Sequence, residues 1–200
     1  MACQEHSQLI EQHLVDLASD VPVIYDMARS WFLQQGPEIT GALVKGLEDD
    51  RLGSVGHWRI LLLLAAFARL ETLPAILKAL RRGDPIVRPG AMEALAAIRT
   101  TEAIDALITL LQEDNPDVVR HAAILLGNTG DVSAVEPLLH LLDGDNPSVR
   151  YSAAKALIQL DGPPVRVALQ RHLENETDLE VRELIASVGV GAPNKGGKSL

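Results

Sequence analysis

The chain has 200 residues, of which 47% are hydrophobic, 22% charged and 3% aromatic, and its formal net charge is −9. This composition is typical of a globular protein with an aliphatic core. The acidic balance argues against nucleic-acid binding, which depends on neutralising phosphates. Cys3 is the only cysteine in the sequence, which excludes an internal disulfide and predicts a cytoplasmic protein.

The N-terminal residues predict a pair of helices. Residues 5–18 and 21–34 each carry apolar side chains at helical spacing, and Asp20 followed by Pro22 is a suitable helix start. The first residues, MACQEHSQLIEQ, lack the basic and apolar regions of a signal peptide. We therefore assign residues 1–36 to an N-terminal capping helix pair.

The next segment contains the longest apolar run of the sequence. This run, ILLLLAAFA, follows directly after Arg59. The pattern of residues 37–48 predicts a further helix before it. A membrane-spanning helix needs about 20 apolar residues. The shorter run therefore fits a helix buried among other helices, and we expect no membrane association.

An arginine preceded by valine then recurs at intervals of 32, 30 and 32 residues, at Arg88, Arg120, Arg150 and Arg182. Alanine and leucine follow the first three at helical spacing, so each marks the start of a helix. A leucine-rich helix precedes each of these three, and the joining sequences GDP, DNP and DNP are typical of turns and helix N-caps. Each unit is thus a helix–turn–helix of about 30 residues.

A single unit of this kind cannot bury its apolar face, whereas stacked units can. The sequence therefore predicts an all-α protein of about six antiparallel helix pairs, with the repeat array at residues 37–189. The following segment, residues 190–200, is rich in glycine and lysine, and we expect it to be disordered.

The segment GNTGDVSAVEPLLHLLDGDNPSVRYSAAKAL resembles a HEAT-like repeat of the short bacterial PBS-lyase type. That type runs Gly-Asp, Ala-Val-x-x-Leu, Asp-x-x-Val-Arg and Ala-Ala-x-Ala-Leu. These motifs fall here at residues 130–131, 134–138, 146–150 and 153–157, with Asn146 in place of the aspartate. The match is good around Arg88 and Arg120 and looser around Arg59 and Arg182. The resemblance implies a right-handed α-solenoid whose second helices line a concave face. It implies no activity, because one fold hosts many functions.

The repeated arginines are predicted to have a structural role. They would form a ladder between neighbouring units with polar residues of the intra-pair turns. The ladder comprises the arginines Arg88, Arg120, Arg150 and Arg182 and the turn residues Asp84, Asn146 and Asp178.

Charge is distributed unevenly along the sequence. Residues 1–50 and 101–150 each carry nine acidic and two basic residues, whereas residues 51–100 carry eight basic and three acidic residues. Arg81, Arg82 and Arg88 form a basic patch in the middle segment. Such a surface either steers a charged partner or another copy of the chain, or is a solvated surface whose sign varies by chance. The acidic segment that follows argues against a nucleic-acid groove.

The second helices also carry a predicted contact patch on the concave face, formed by His121, Asn128, Tyr151 and Lys155. Tyrosine is favoured at interaction hot spots. The alternative is that these four are ordinary exposed polar residues.

These observations predict a non-enzymatic scaffold or adaptor that binds a protein partner. The alternative is a bilin lyase-like or chaperone-like factor acting on a phycobiliprotein-type acceptor, because the short repeat type also occurs in such lyases. A coloured adduct with a bilin and its apo-acceptor would distinguish the lyase. The six histidines are scattered and none precedes a glutamate, whereas HEAT-like di-iron hydroxylases use His-Glu pairs. We therefore predict no metal site and no cofactor.

Overall fold

The computed structural model describes residues 2–187, with side chains from Gln4 onward. Within this range there are twelve α-helices and no strands, which confirms the all-α repeat fold and the six helix pairs. The helices are α1 Ala2–Leu17, α2 Pro22–Gln35, α3 Thr40–Gly46, α4 Gly53–Phe67, α5 Leu73–Arg81, α6 Val87–Ile98, α7 Thr101–Thr109, α8 Pro116–Thr129, α9 Val135–Leu141, α10 Pro147–Leu160, α11 Pro163–Asn175 and α12 Leu179–Ser187.

The chain divides into two compact units. Unit 1 covers residues 1–106 and unit 2 covers residues 107–200, so the boundary falls within α7. The predicted division into a capping pair at 1–36 and an array at 37–189 stays a prediction. The predicted disordered tail, residues 190–200, lies outside the described residues.

The most extensive packing within each unit is between second helices. In unit 1, α4 packs against α6, and a Cβ on Gly90 of α6 would lie 2.8 Å from the ring of Trp58 in α4. In unit 2, α10 packs against α8 on one side and α12 on the other. Small residues permit this close approach, as the predominance of alanine in the sequence predicts. Fully buried side chains at these contacts include Leu61, Leu64, Leu95, Leu126, Ala153 and Leu157.

Four of the second helices begin at a side-chain cap in the preceding turn. Asn115 Oδ1 accepts from the Asp117 amide at 2.9 Å, and Asn146 Oδ1 accepts from the Ser148 amide at 3.0 Å. The carboxylates of Asp84 and Asp178 do the same for α6 and α12. A cap of this kind satisfies amide groups that have no partner within the helix.

Five second helices also end alike, at a residue with positive φ. These are Gly36, Ala68, Arg99, Gly130 and Asp161, and the last four are spaced by 31 residues. Positive φ reverses the chain direction after the helix and is usually the position of glycine. Only two of these five residues are glycine. The positive-φ conformation therefore recurs more regularly along the chain than any residue type at this position.

The regular helix ends reveal a shift in the arginine pattern. Helices α8 and α10 both have 14 residues, yet Arg120 is the fifth residue of α8 whereas Arg150 is the fourth of α10. One residue rotates a side chain by about 100° around the helix. The place of Arg150 is taken in α8 by Val119, which is buried. Arg120 therefore projects in a different direction from Arg150.

Candidate interaction surface

The predicted contact patch lies on two helices of unit 2 that approach each other closely. Gly127 of α8 lies against α10, where a Cβ on Gly127 would be only 2.7 Å from the Ala156 Cα. Next to this contact, Gln159 Nε2 donates to Asn128 Oδ1 at 3.1 Å. The close approach holds the exposed sides of α8 and α10 side by side.

The structure places the four predicted patch residues on these two helices. His121 and Tyr151 are half-buried near the helix starts, and Asn128 and Lys155 are exposed further along. Tyr151 and Lys155 are one turn apart on α10, so they share one side of that helix. The patch itself stays a prediction.

Tyr151 lines a groove of about 360 Å³. The groove lies between the starts of α10 and α12, and its other lining side chains include Arg120, Ser148, Ser152, Asp178 and Glu180. The one-residue shift of Arg120 within α8 places it beside Tyr151. A half-buried aromatic ring is thus surrounded by hydroxyl and charged groups.

A larger cleft of about 880 Å³ adjoins this groove at Pro147 and Asp178. It lies between the turn that joins α9 to α10 and the turn that joins α11 to α12. Its polar lining side chains include Asp143, Asp145, Arg150, Arg171, His172 and Glu176. Polar side chains thus dominate both depressions, in contrast to the mostly apolar lining of small-molecule pockets.

The floor of the cleft is held by a buried carboxylate. Glu176 is 4% exposed, and its two carboxylate oxygens accept hydrogen bonds from Arg150 Nη2 at 2.8 Å and Nε at 2.9 Å. The amides of Thr177 and Asp178 also donate to Glu176, and His172 Nε2 lies 2.7 Å from it. The Arg150 hydrogen bonds, with help from Asp178 and His172, lower the pKa of Glu176 to about 2. The carboxylate is therefore ionised and fully coordinated at neutral pH.

Glu176 connects two of the repeated arginines. Arg150 reaches its side chain, and Arg182 Nη1 donates to its backbone carbonyl at 2.7 Å. Arg150 also donates to the carbonyls of Gly144 and Asp145 at 3.0 Å. Arg150 thus links its own pair to the next one, through Glu176, which is not among the predicted ladder residues.

The other predicted ladder residues have different surroundings. Arg120 donates to Asp117 on its own helix at 3.2 Å, and both side chains are well exposed. Asp84, Asn146 and Asp178 cap the second helices with the hydrogen bonds described above. Asp84, in the turn between α5 and α6 of unit 1, also accepts a hydrogen bond from Ser54 of α4 at 2.5 Å. This hydrogen bond joins two successive helix pairs. The ladder as a whole stays a prediction.

The predicted basic patch lies in unit 1 among acidic groups. Arg82 Nη1 donates to the Leu47 carbonyl at 3.1 Å, and Lys78 pairs with Glu48 at 2.8 Å. Arg81 is exposed, and Arg88 lies at the start of α6 with its backbone amide bonded to Asp84. The acidic side chain of Glu48 therefore lies beside the predicted basic patch.

Sequence reasoning missed Glu176 and His172. Glu176 belongs to the polar stretch ENETD, in which no pattern distinguishes it from its exposed neighbours. Its burial depends on Arg150, which is 26 residues away in sequence. The only available signal was the spacing of His172 and Glu176, which places both on one side of a helix end.

The described residues contain neither a candidate membrane span nor a candidate metal-binding cluster. In residues 2–187 no helix is both long and apolar enough to cross a membrane. Across the same range, no group of three or more histidine, cysteine and acidic side chains is arranged to hold a metal ion.

Comparisons with known proteins address the fold. A family model described as HEAT repeats matches residues 40–126 and 120–188. No curated protein matches the chain. Among solved structures, human deoxyhypusine hydroxylase in complex with glycerol is similar at 18% sequence identity and a TM-score of 0.41, over 95% of this chain and 97% of that chain. A similarity at this level carries no inference about function.

Proposed function

The chain belongs to the HEAT repeat proteins, and from this premise we propose that it is a non-enzymatic scaffold or adaptor that binds a protein partner. Stacked helix pairs present extended surfaces on which repeated positions vary. The proposed binding surface is the second-helix side of unit 2, which the resemblance would place on the concave face. It includes His121, Asn128, Tyr151 and Lys155.

The observation that carries this proposal is the position of Tyr151. Its half-buried ring lines a groove whose remaining lining is largely hydroxyl, carboxylate and guanidinium groups. Interaction hot spots combine an aromatic anchor with a polar rim. Tyrosine also provides a large contact area while losing little side-chain entropy on binding.

The polar lining favours a protein partner over a small organic ligand. Small-molecule pockets enclose their ligand with mainly apolar side chains. The two adjoining depressions instead expose the carboxylates of Asp143, Asp145 and Glu180. Groups of this kind suit the directed hydrogen bonds and ion pairs of a protein–protein interface.

Site-specific photo-crosslinking in source cells tests the proposal. A photoreactive residue at Tyr151 should capture a defined protein, whereas the same residue at His140, an exposed position on the first helix α9, should not. Tyr151→Ala and Lys155→Glu should each reduce recovery of that protein in a pull-down, with helix content unchanged. Equal capture from both positions, or recovery unaffected by both substitutions, would show that the surface is wrong.

A further inference from the structure

Unit 1 carries an exposed apolar surface that the proposed function does not use. Val21, Val23 and Met27 expose 51%, 66% and 66% of their surface, and Ile24 exposes 39%. Val23 and Met27 are one turn apart, and Ile24 lies three residues before Met27, so these side chains are adjacent. We call these four residues the α2 apolar face.

This face is additional to the surface with which α2 packs in its own unit. Ala28 and Phe32 are fully buried, and α2 packs against α1 and α4. Apolar side chains exposed singly are normal, but an adjacent group marks an interaction site. A helix face that remains in solvent is ordinarily polar or charged. The α2 apolar face lacks that polarity and is therefore suited to contact with another apolar surface.

Acidic groups flank the α2 apolar face. Asp20 and Asp26 are exposed, and within residues 2–187 neither side chain forms a hydrogen bond or an ion pair. At about 100° per residue, Asp26 lies about 60° from Val23 around the helix, whereas Arg29 lies about 160° from Met27. The nearest charged groups of α2 and its preceding turn are therefore negative, and the cation of α2 lies on the other side. Arg59 of α4 also reaches this turn, but its half-buried guanidinium is engaged by the Leu17 and Ser19 carbonyls and by the Tyr25 ring.

We call Asp20 and Asp26 the acidic rim of the α2 apolar face. Its negative charge distinguishes between possible binding partners. A symmetric contact between two copies would place identical surfaces together, and with them Asp20 and Asp26 of both copies. Like charges at the edge of an interface oppose association, whereas opposite charges favour it. The rim therefore disfavours a second copy and favours a cationic partner.

We propose that the α2 apolar face binds an amphipathic helix whose apolar stripe is flanked by lysine or arginine. The helix would pack along α2, with its apolar side chains covering Val23 and Met27. Its basic residues would lie against Asp20 and Asp26. This site belongs to unit 1 and is independent of the Tyr151 surface in unit 2.

Two synthetic peptides of about 18 residues, or five helical turns, test the proposal with the full chain. Both carry the same leucine stripe, flanked by lysine in one peptide and by glutamate in the other. Fluorescence anisotropy should show that the wild-type chain binds the lysine peptide at least about tenfold more tightly than the glutamate peptide. The Val23→Ser/Met27→Gln variant should bind the lysine peptide about tenfold more weakly, which corresponds to about 1.4 kcal/mol.

The double variant Asp20→Lys/Asp26→Lys should reverse the preference and bind the glutamate peptide more tightly. Val167→Ser, at an exposed valine of α11, is the matched control and should leave both affinities unchanged. All substituted positions are exposed, and circular dichroism verifies that each variant keeps its helix content.

Three results would overturn the proposal. Lysine-peptide binding that is insensitive to Val23→Ser/Met27→Gln would indicate attraction to the net negative charge alone. Equal affinity for both peptides would remove the role of the acidic rim. A concentration-dependent dimer in sedimentation, lost on Met27→Gln, would identify a second copy as the occupant.

Discussion

Arg150 donates two hydrogen bonds to the carboxylate of Glu176, which belongs to the following helix pair. Both side chains are nearly buried, with exposures of 12% and 1%. The bond pattern is bidentate, which fixes the direction of approach as well as the distance. This contact therefore determines how α10 and the α11–α12 turn are positioned relative to each other.

Arg150→Ala should reduce the free energy of unfolding by about 1–3 kcal/mol, because it leaves a buried carboxylate without its main partner. Arg166→Ala is the matched control, since Arg166 pairs with Asp161 at 2.7 Å in an exposed position. Exposed ion pairs contribute little to stability because solvent screens them. Urea unfolding followed by circular dichroism measures both variants. Equal losses would mean that burial of the Arg150 pair has no energetic consequence.

Stability should fall in acid because of Glu176. Its pKa is lowered from 4.5 to about 2, so between these values the unfolded chain binds a proton that the folded chain does not. The stabilisation is fully present above about pH 4.5 and is lost as pH falls towards 2. The unfolding free energy of Glu176→Gln, measured between pH 6 and 3, should therefore depend less on pH than that of the wild type. Parallel curves for the two proteins would contradict this assignment.

Ala68→Gly should stabilise the chain by about 0.5–1 kcal/mol. Ala68 has a φ of 47°, a left-handed conformation that costs a residue with a Cβ roughly 1–2 kcal/mol, and the greater freedom of glycine in the unfolded chain offsets part of the gain. Ala66→Gly is the matched control, because Ala66 is exposed within α4 and the same change there costs about 1 kcal/mol. Thermal melting should show shifts of opposite sign.

Gly127→Ala should destabilise unit 2 by about 1–3 kcal/mol, because the added methyl group forces α8 and α10 apart. The Gln159 Oε1 at 2.5 Å can move aside with its side chain, but the Ala156 Cα at 2.7 Å is backbone and cannot rotate away. Gly41→Ala is the control: nothing lies within 4 Å of a Cβ at Gly41, so the substitution should be neutral or stabilising. Chemical denaturation distinguishes the two. A neutral Gly127→Ala would show that the helices can separate at little cost.

The candidate surfaces were only partly predictable. The sequence predicted Tyr151 and Lys155 as contact residues because Tyr151 directly follows a repeated arginine and Lys155 lies further along the same helix, and this prediction is untested. The sequence could not identify the α2 apolar face, because valine and methionine at helical spacing are equally typical of buried positions, and nothing local distinguishes Val23 and Met27 from these. Exposure depends on which neighbour covers a side chain, and that information is not local.

The sequence by itself determined the helix pairs, their caps and the approximate period. These features depend on interactions within a few residues, such as Asn146 accepting from the amide of Ser148 and the proline that follows Asp84, Asn115 and Asn146. The tertiary structure decided the partner of Arg150 and the direction of Arg120. Both depend on contacts between successive helices, where a one-residue shift turns a side chain by about 100°. The tertiary structure also decided the regular 31-residue spacing of the helix ends. Packing holds Ala68, Arg99 and Asp161 in a backbone conformation that their side chains disfavour.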